Sequence, residues 1–213
     1  MPHDHDHNEH HHHLLPSDPQ LMVKSLETIL TRKGLVDPKA IDTIIDLYSH
    51  DIGPRRGAEL VVKCWTDPAF KGELLANTDA VLADMGLGGR QGEHVKIVEN
   101  TRDTHHMVVC TLCSCYPWPL LGIPPTWYKS DAYRKRAVRE PRAVLDEFGV
   151  DLLPSQSVQV WDSTAEIRYL VLPMQPHASR QLDPKSLLQW ITRDSMIGTG
   201  LPKPPQADEG AHK

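Results

Sequence analysis

Cys110-Thr111-Leu112-Cys113-Ser114-Cys115-Tyr116-Pro117-Trp118-Pro119 is the stretch on which the reading of this chain turns. Three of the four cysteines in 213 residues fall within its first six positions. Cys110, Cys113 and Cys115 converge on one ion only if the backbone curls tightly, and the curl carries the amides of Ser114 and Cys115 beside the sulfurs. Such a loop supplies three sulfurs and two amide nitrogens in a roughly square-pyramidal array and leaves a sixth position for water or substrate. Spacing alone leaves two rivals. Structural zinc takes four Cys or His ligands, commonly from paired Cys-x-x-Cys elements; a second pair is missing, so His105 or His106 would have to be the fourth ligand. The other rival is a redox pair at Cys110 and Cys113.

The run begins where a short β-branched strand, Met107 to Cys110, ends, and a similar strand is expected at Val95 to Val98, after a loop from Gly86 to Gly92. Pro117, Pro119, Pro124 and Pro125 exclude regular helix or central strand and predict a rigid loop. Further on, the pattern predicts a helix from about Pro141 to Phe148 and a hairpin pairing Val158 to Trp161 with Ile167 to Leu172; Asp183-Pro184 opens the last helix. Upstream the pattern is helical. Ser17 with Gln20 resembles a capping box, Leu21, Met22, Leu26, Ile29 and Leu30 form a stripe, and Gly34 stops it. Asp37-Pro38 starts a second helix with Ile41, Ile44, Ile45, Leu47 and Tyr48, and Gly53-Pro54 breaks the chain. Ala58 to Trp65, then Asp67-Pro68 through Leu75, form two short helices, and Val81 to Met85 adds a turn.

The fold class is therefore α+β: a helical N-terminal arm followed by a mixed α/β layered domain carrying the cysteine claw. The arm, residues 17–85, carries more apolar surface than isolated helices can hide and is expected to pack on a partner subunit. Folding back onto its own domain is the alternative that periodicity leaves open. The metal-binding domain covers residues 86–202, between a disordered His-rich tail, residues 1–16, and a flexible tail, residues 203–213.

Composition sets outer limits. A hydrophobic fraction of 39%, a charged fraction of 24% and a net charge of −5 describe an ordinary globular chain with no electrostatic reason to bind nucleic acid. No apolar run approaches the roughly 18 residues of a membrane span, and the N-terminus lacks the apolar core of a signal peptide, so a cytoplasmic location is expected. Seven of the 13 histidines lie in the first 13 residues, as a passive tail or tag or as a loose metal-capturing tract. The basic run Tyr133 to Arg139 reads as a solvated helix face or a subunit contact. Cys64, in an apolar run, reads as a small buried hydrophobe without a function.

Val109 to Pro119 resembles the metal-binding signature of nitrile hydratase alpha subunits. The likeness extends to Gly53-Pro54-Arg55, Trp65-Thr66-Asp67-Pro68, Gln91-Gly92-Glu93, Pro124 to Lys129, Glu147-Phe148-Gly149, Arg168-Tyr169 and Thr192 to Gly200, spanning roughly residues 17 to 202. In that family a Thr at the position of Thr111 accompanies cobalt and a Ser accompanies iron, and Tyr116 agrees with the cobalt branch. The resemblance thus implies one low-spin Co(III) per alpha subunit and no organic cofactor. It makes Cys110 the axial thiolate, Cys113 a sulfinate and Cys115 a sulfenate, with the amides of Ser114 and Cys115 as nitrogen ligands.

The implied reaction hydrates a nitrile to its amide, the Cys115 sulfenate oxygen acting as nucleophile or as base for a water. Catalytic candidates by resemblance are Cys115, Ser114, Trp118 as an apolar pocket wall and Gln91 as an orienter of water; a core aromatic and an exposed loop amide are the plainer readings of the last two. Asp162, Glu166 and Arg168 resemble residues of the outer shell and subunit interface, with hairpin salt bridging as the alternative. The implied partners are an obligate beta subunit, whose arginines face the oxidised sulfurs, pairing to α2β2, and an activator protein for cobalt loading. Two other readings stand beside this. The thiocyanate hydrolase gamma subunit shares the claw but carries Arg where this chain has Trp118, suiting an anion rather than a neutral nitrile. A noncatalytic cobalt-binding or delivery module would use the His-rich tail as its loading device.

Overall fold

Gly53 and Pro54, expected to break the chain after the second helix, are themselves the first residues of the next one, because proline lacks only an N–H that the first helical turn leaves unpaired in any case. This computed structural model describes residues 18–47, 53–88 and 94–205. The His-rich tail, Tyr48 and Gln91 lie outside the described residues.

The chain divides into two compact units, Met1–Ile45 and Asp46–Lys213. The first contains helix α1 (Asp18–Arg32) and nearly all of α2 (Pro38–Asp46). Gly34, at φ 67, ends α1, and Leu35 N–H returns to the Leu30 carbonyl at 3.0 Å, as a left-handed glycine cap requires. Leu21, Met22, Leu26 and Ile29 of the apolar stripe on α1 are exposed, from 49% at Ile29 to 73% at Met22, whereas Leu30 is half-buried.

The second unit takes in residues 53–85, the later helices of the segment that the sequence reading called an arm. The reason is burial. In α3 (Gly53–Thr66), Gly57, Leu60, Val61 and Cys64 recur at helical spacing and are all buried. Helix α4 (Pro68–Ala76) is capped by Asp67, which accepts the Phe70 amide at 2.9 Å, and α5 (Thr78–Asp84) buries Val81 and Leu82. Trp65 Nε1 donates to the Pro173 carbonyl at 2.8 Å, tying α3 to the far end of the chain.

Four strands follow two arches. β1 (His94–Glu99) pairs in parallel with β4 (Ile167–Leu172), and β2 (Thr104–Val109) pairs in parallel with β3 (Ser157–Asp162). The hairpin expected between β3 and β4 does not form. A tight hairpin turn needs positive φ, and none of Ser163 to Glu166 adopts it. Instead the chain crosses from one sheet to the other, with Ser163 N–H closing on the Val109 carbonyl at 2.7 Å and Thr164 N–H on the Ile167 carbonyl at 2.9 Å.

The proline-rich segment is not wholly irregular. Pro117 and Pro119 start a single turn, α6 (Trp118–Leu121), and Pro125 precedes the 3-10 turn Thr126–Lys129. Helices α7 (Asp131–Arg139) and α8 (Pro141–Glu147) come next; Asp183 caps α9 (Pro184–Leu188), which is followed by one more helix, α10 (Arg193–Ile197). No helix among the described residues is long and apolar enough to cross a membrane.

Candidate metal centre

The C-terminal end of β2 delivers Cys110, fully buried, to the edge of the sheet. Because β3 runs parallel to β2, Asp162 lies opposite Val109 in the register and its carboxylate reaches past the strand end. It accepts Thr111 N–H at 2.9 Å and Thr111 Oγ1–H at 2.5 Å, turning the chain sharply just after the first cysteine. Cys113 N–H then points back to Cys110 Sγ at 3.3 Å.

The outer side of the loop is fastened by its carbonyls. Tyr133 Oη donates to Val108 O at 2.6 Å, Arg134 Nη1 to Cys113 O at 3.3 Å and Tyr128 Oη to Cys115 O at 2.9 Å. Tyr116 and Tyr128 are buried beneath it and meet edge to face, their ring centroids 5.2 Å apart. The sulfurs gather: Cys110 Sγ lies 3.5 Å from Cys113 Sγ, which lies 3.2 Å from Cys115 Sγ.

These separations are well beyond a disulfide bond, and all the cysteines are free thiols. A metal–thiolate bond of about 2.3 Å places adjacent sulfurs at right angles about 3.3 Å apart, so the group fits one ion. Soft sulfur donors favour a transition metal over calcium or magnesium. Among the described residues neither the Ser114 nor the Cys115 amide donates to a backbone carbonyl. The Cys113 thiol is shifted below its ordinary value by the hydrogen bond from Cys115, with the two amides adding to it. Cys115 is pushed up to about 12 by burial and by its bond to Cys113, against the opposing charge of Arg168.

The rival ligand sets lose their geometry. Among the described residues the metal-capable cluster contains only the three cysteines. His105 Nε2 lies 2.6 Å from the Gly198 carbonyl, and His106 Nδ1 accepts Trp161 Nε1–H at 2.8 Å, so neither completes a zinc tetrahedron. Cys113 stands as near to Cys115 as to Cys110, which singles out no redox pair.

The family description "Nitrile hydratase, alpha chain" matches residues 17–200. The chain belongs to the nitrile hydratase alpha-chain family. It is 49% identical over 183 residues to the low-molecular weight cobalt-containing nitrile hydratase subunit alpha of Rhodococcus rhodochrous, covering 86% of this chain and 88% of the relative. To the gamma subunit of thiocyanate hydrolase from Thiobacillus thioparus it is 36% identical over 201 residues, covering 88% and 82%. Among solved structures, a double histidine variant of the iron-type nitrile hydratase from Comamonas testosteroni Ni1 superposes with a TM-score of 0.81 at 36% identity, covering 93% of this chain and 98% of that one.

In this member of the family, Trp118 lies just past the claw at 41% exposure, at the surface rather than in the core. Arg168 is partly buried; its charge acts on Cys115, and its Nη1 is buried without a partner among the described residues. Glu166 is exposed on the arch, where its carbonyl accepts His94 N–H at 2.7 Å, and its side chain is not brought to the sulfurs. Sequence reasoning missed Tyr128, Tyr133 and Arg134 as fasteners of the loop. The available signal was Ser130, whose side chain accepts Tyr133 N–H and so starts α7 where Tyr133 and Ala137 face inward.

Proposed function

We propose that this chain is the metal-holding alpha subunit of a cobalt-type nitrile hydratase that converts a neutral nitrile into its carboxamide together with a beta subunit. The observation that carries this is the gathering of the Cys110, Cys113 and Cys115 sulfurs within 4.8 Å of one another, on a loop whose Thr111 is fixed by Asp162. The three sulfurs and the amides of Ser114 and Cys115 would hold the ion. When bound, trivalent cobalt supplies Lewis acidity toward a nitrile nitrogen or a water.

The chain's own residues do the rest. Cys113 as sulfinate and Cys115 as sulfenate place acceptor oxygens beside the substrate position. The Cys115 oxygen takes a proton from a water that adds to the nitrile carbon, or adds to that carbon itself to give an S–O–C imidate from which a second attack, by water, displaces the sulfenate; in either case the released imidic acid moves its O–H proton to nitrogen and becomes the amide. Trp118 forms an apolar wall suited to a neutral side chain, and Gln91 orients water. Asp162, Glu166 and Arg168 steady the outer shell and the subunit boundary.

The face of the claw is open: Leu112 is 81% exposed and Cys113 is exposed. Oxidised sulfurs need cationic donors, which a beta subunit provides by covering this face. An αβ heterodimer pairing to α2β2, loaded with the help of an activator protein and located in the cytoplasm, completes the proposal.

The test is coexpression with a beta subunit and an activator, followed by metal analysis, mass spectrometry of the peptide containing Cys110 to Cys115, and assay on nitriles and on thiocyanate. Stoichiometric cobalt, oxygenated Cys113 and Cys115 and amide production are expected. Stoichiometric iron or zinc, unoxidised cysteines, or turnover of thiocyanate instead would overturn the corresponding part.

A further inference from the structure

On α7 the basic run Tyr133 to Arg139 is not one solvated face. Lys135 and Arg139 are exposed, whereas the Arg134 side chain retains 20% of its exposure and turns to the claw. Its Nη1 donates to the Cys113 carbonyl at 3.3 Å, its Nη2 is held by the carboxylate of Asp131, and its Nε is buried with no partner among the described residues. A buried, unpartnered donor on a charged group destabilises the fold, so its presence calls for a role beyond the packing of α7.

The neighbouring contacts point to that role. Tyr133, the preceding residue, fastens the Val108 carbonyl two residues ahead of Cys110, and Tyr128 fastens the Cys115 carbonyl. Between these two anchored ends, among the described residues only Arg134 grips the carbonyl of the middle cysteine, whose sulfur is in contact with both others. Cys113 itself is exposed, so packing does not hold it. A planar guanidinium spans the Asp131 carboxylate and the Cys113 carbonyl at once, which the point charge of a lysine does poorly.

We propose that Arg134 is a positioning residue of the sulfur site: braced by Asp131, it holds the Cys113 carbonyl and thereby keeps the middle sulfur gathered with Cys110 and Cys115, retaining the metal. The proposal rests on the reading of the claw as a metal site.

The cobalt-loaded complex with the beta subunit is prepared as wild type, Arg134→Lys, Arg134→Met and, as a surface control, Arg139→Met. Loss of cobalt to excess chelator is followed by elemental analysis and by sulfur-to-metal absorption. Arg134→Met is expected to lose metal about tenfold faster, the scale of one charged hydrogen bond, with Arg134→Lys intermediate and Arg139→Met unchanged. In parallel, the metal-free full chain is titrated with phenylarsine oxide, which bridges neighbouring thiols, and Arg134→Met is expected to weaken capture by a similar factor. Equal metal loss and equal capture in wild type and Arg134→Met would overturn the proposal. Should Arg134→Met fail to fold by circular dichroism, an unchanged Arg134→Lys would overturn it instead. A wild-type chain that captures the arsenical yet takes up no cobalt sinks the metal reading, while the arsenical comparison still decides the role of Arg134.

Discussion

A single carboxylate does much to shape the claw. Asp162 accepts both the amide and the hydroxyl of Thr111, so removing it frees the turn that brings Cys113 back to Cys110. Asp162→Ala in the assembled enzyme is expected to lower cobalt content and kcat about tenfold, the scale of hydrogen bonds to a charged group. Asp162→Asn, which keeps one acceptor, should fall between, as metal analysis and initial rates will show. Cys64 offers the contrasting case. It is 3% exposed, and burial pushes its thiol up to about 12 from an ordinary value of 9.0. The folded chain therefore keeps the proton that an unfolded chain releases, and this group's contribution to stability declines as pH rises from about 9 toward about 12. Iodoacetamide at pH 8 should leave Cys64 unlabelled until denaturant is added, and Cys64→Ala should retain activity; rapid labelling of the folded protein would contradict its burial.

At the scale of elements, the site depends on two close approaches. Helix α3 passes so near α6 and α10 that a Cβ at Gly57 would lie 2.8 Å from Met196 Sδ and 2.9 Å from the Leu120 carbonyl. Gly57→Val is expected to destabilise the complex by about 1–3 kcal/mol, the usual cost of overpacking, and to lower its urea midpoint. An unchanged midpoint would mean that α6, which carries Trp118, can shift. After α10, Gly198 stands at φ 88, where a Cβ would meet the His106 carbonyl at 2.0 Å, pinning the chain to β2 just ahead of the claw. The parallel pairing of β2 with β3 is the other determinant, since it brings the ends of both strands, and hence Thr111 and Asp162, to the same edge.

At the scale of the molecule, helix α1 exposes much of its apolar stripe, with Leu26 57% and Ile29 49% exposed. Such a face calls for a protein partner. Leu26→Glu combined with Ile29→Glu in the full chain is expected to leave the far-ultraviolet circular dichroism intact and to abolish copurification with the beta subunit. Undiminished copurification would show that the partner rests on the larger unit alone.

Much of this was written in the chain itself. The spacing of Cys110, Cys113 and Cys115 marked three sulfurs as candidates for one site while leaving metal and redox readings open, the periodicity of residues 18–46 and 58–84 set the helices, and Asp67-Pro68 and Asp183-Pro184 marked helix starts, because caps, periods and short loops are local properties. Strand partners, the membership of α3 to α5 in the larger unit, and the inward turn of Arg134 were not legible, since each is decided by which distant surface buries an apolar face or offers a hydrogen bond. By itself, then, the sequence determined which atoms could gather around an ion. Only the tertiary structure decided that Asp162, Tyr128, Tyr133 and Arg134 would hold them there, because those contacts join residues the chain brings together only by folding.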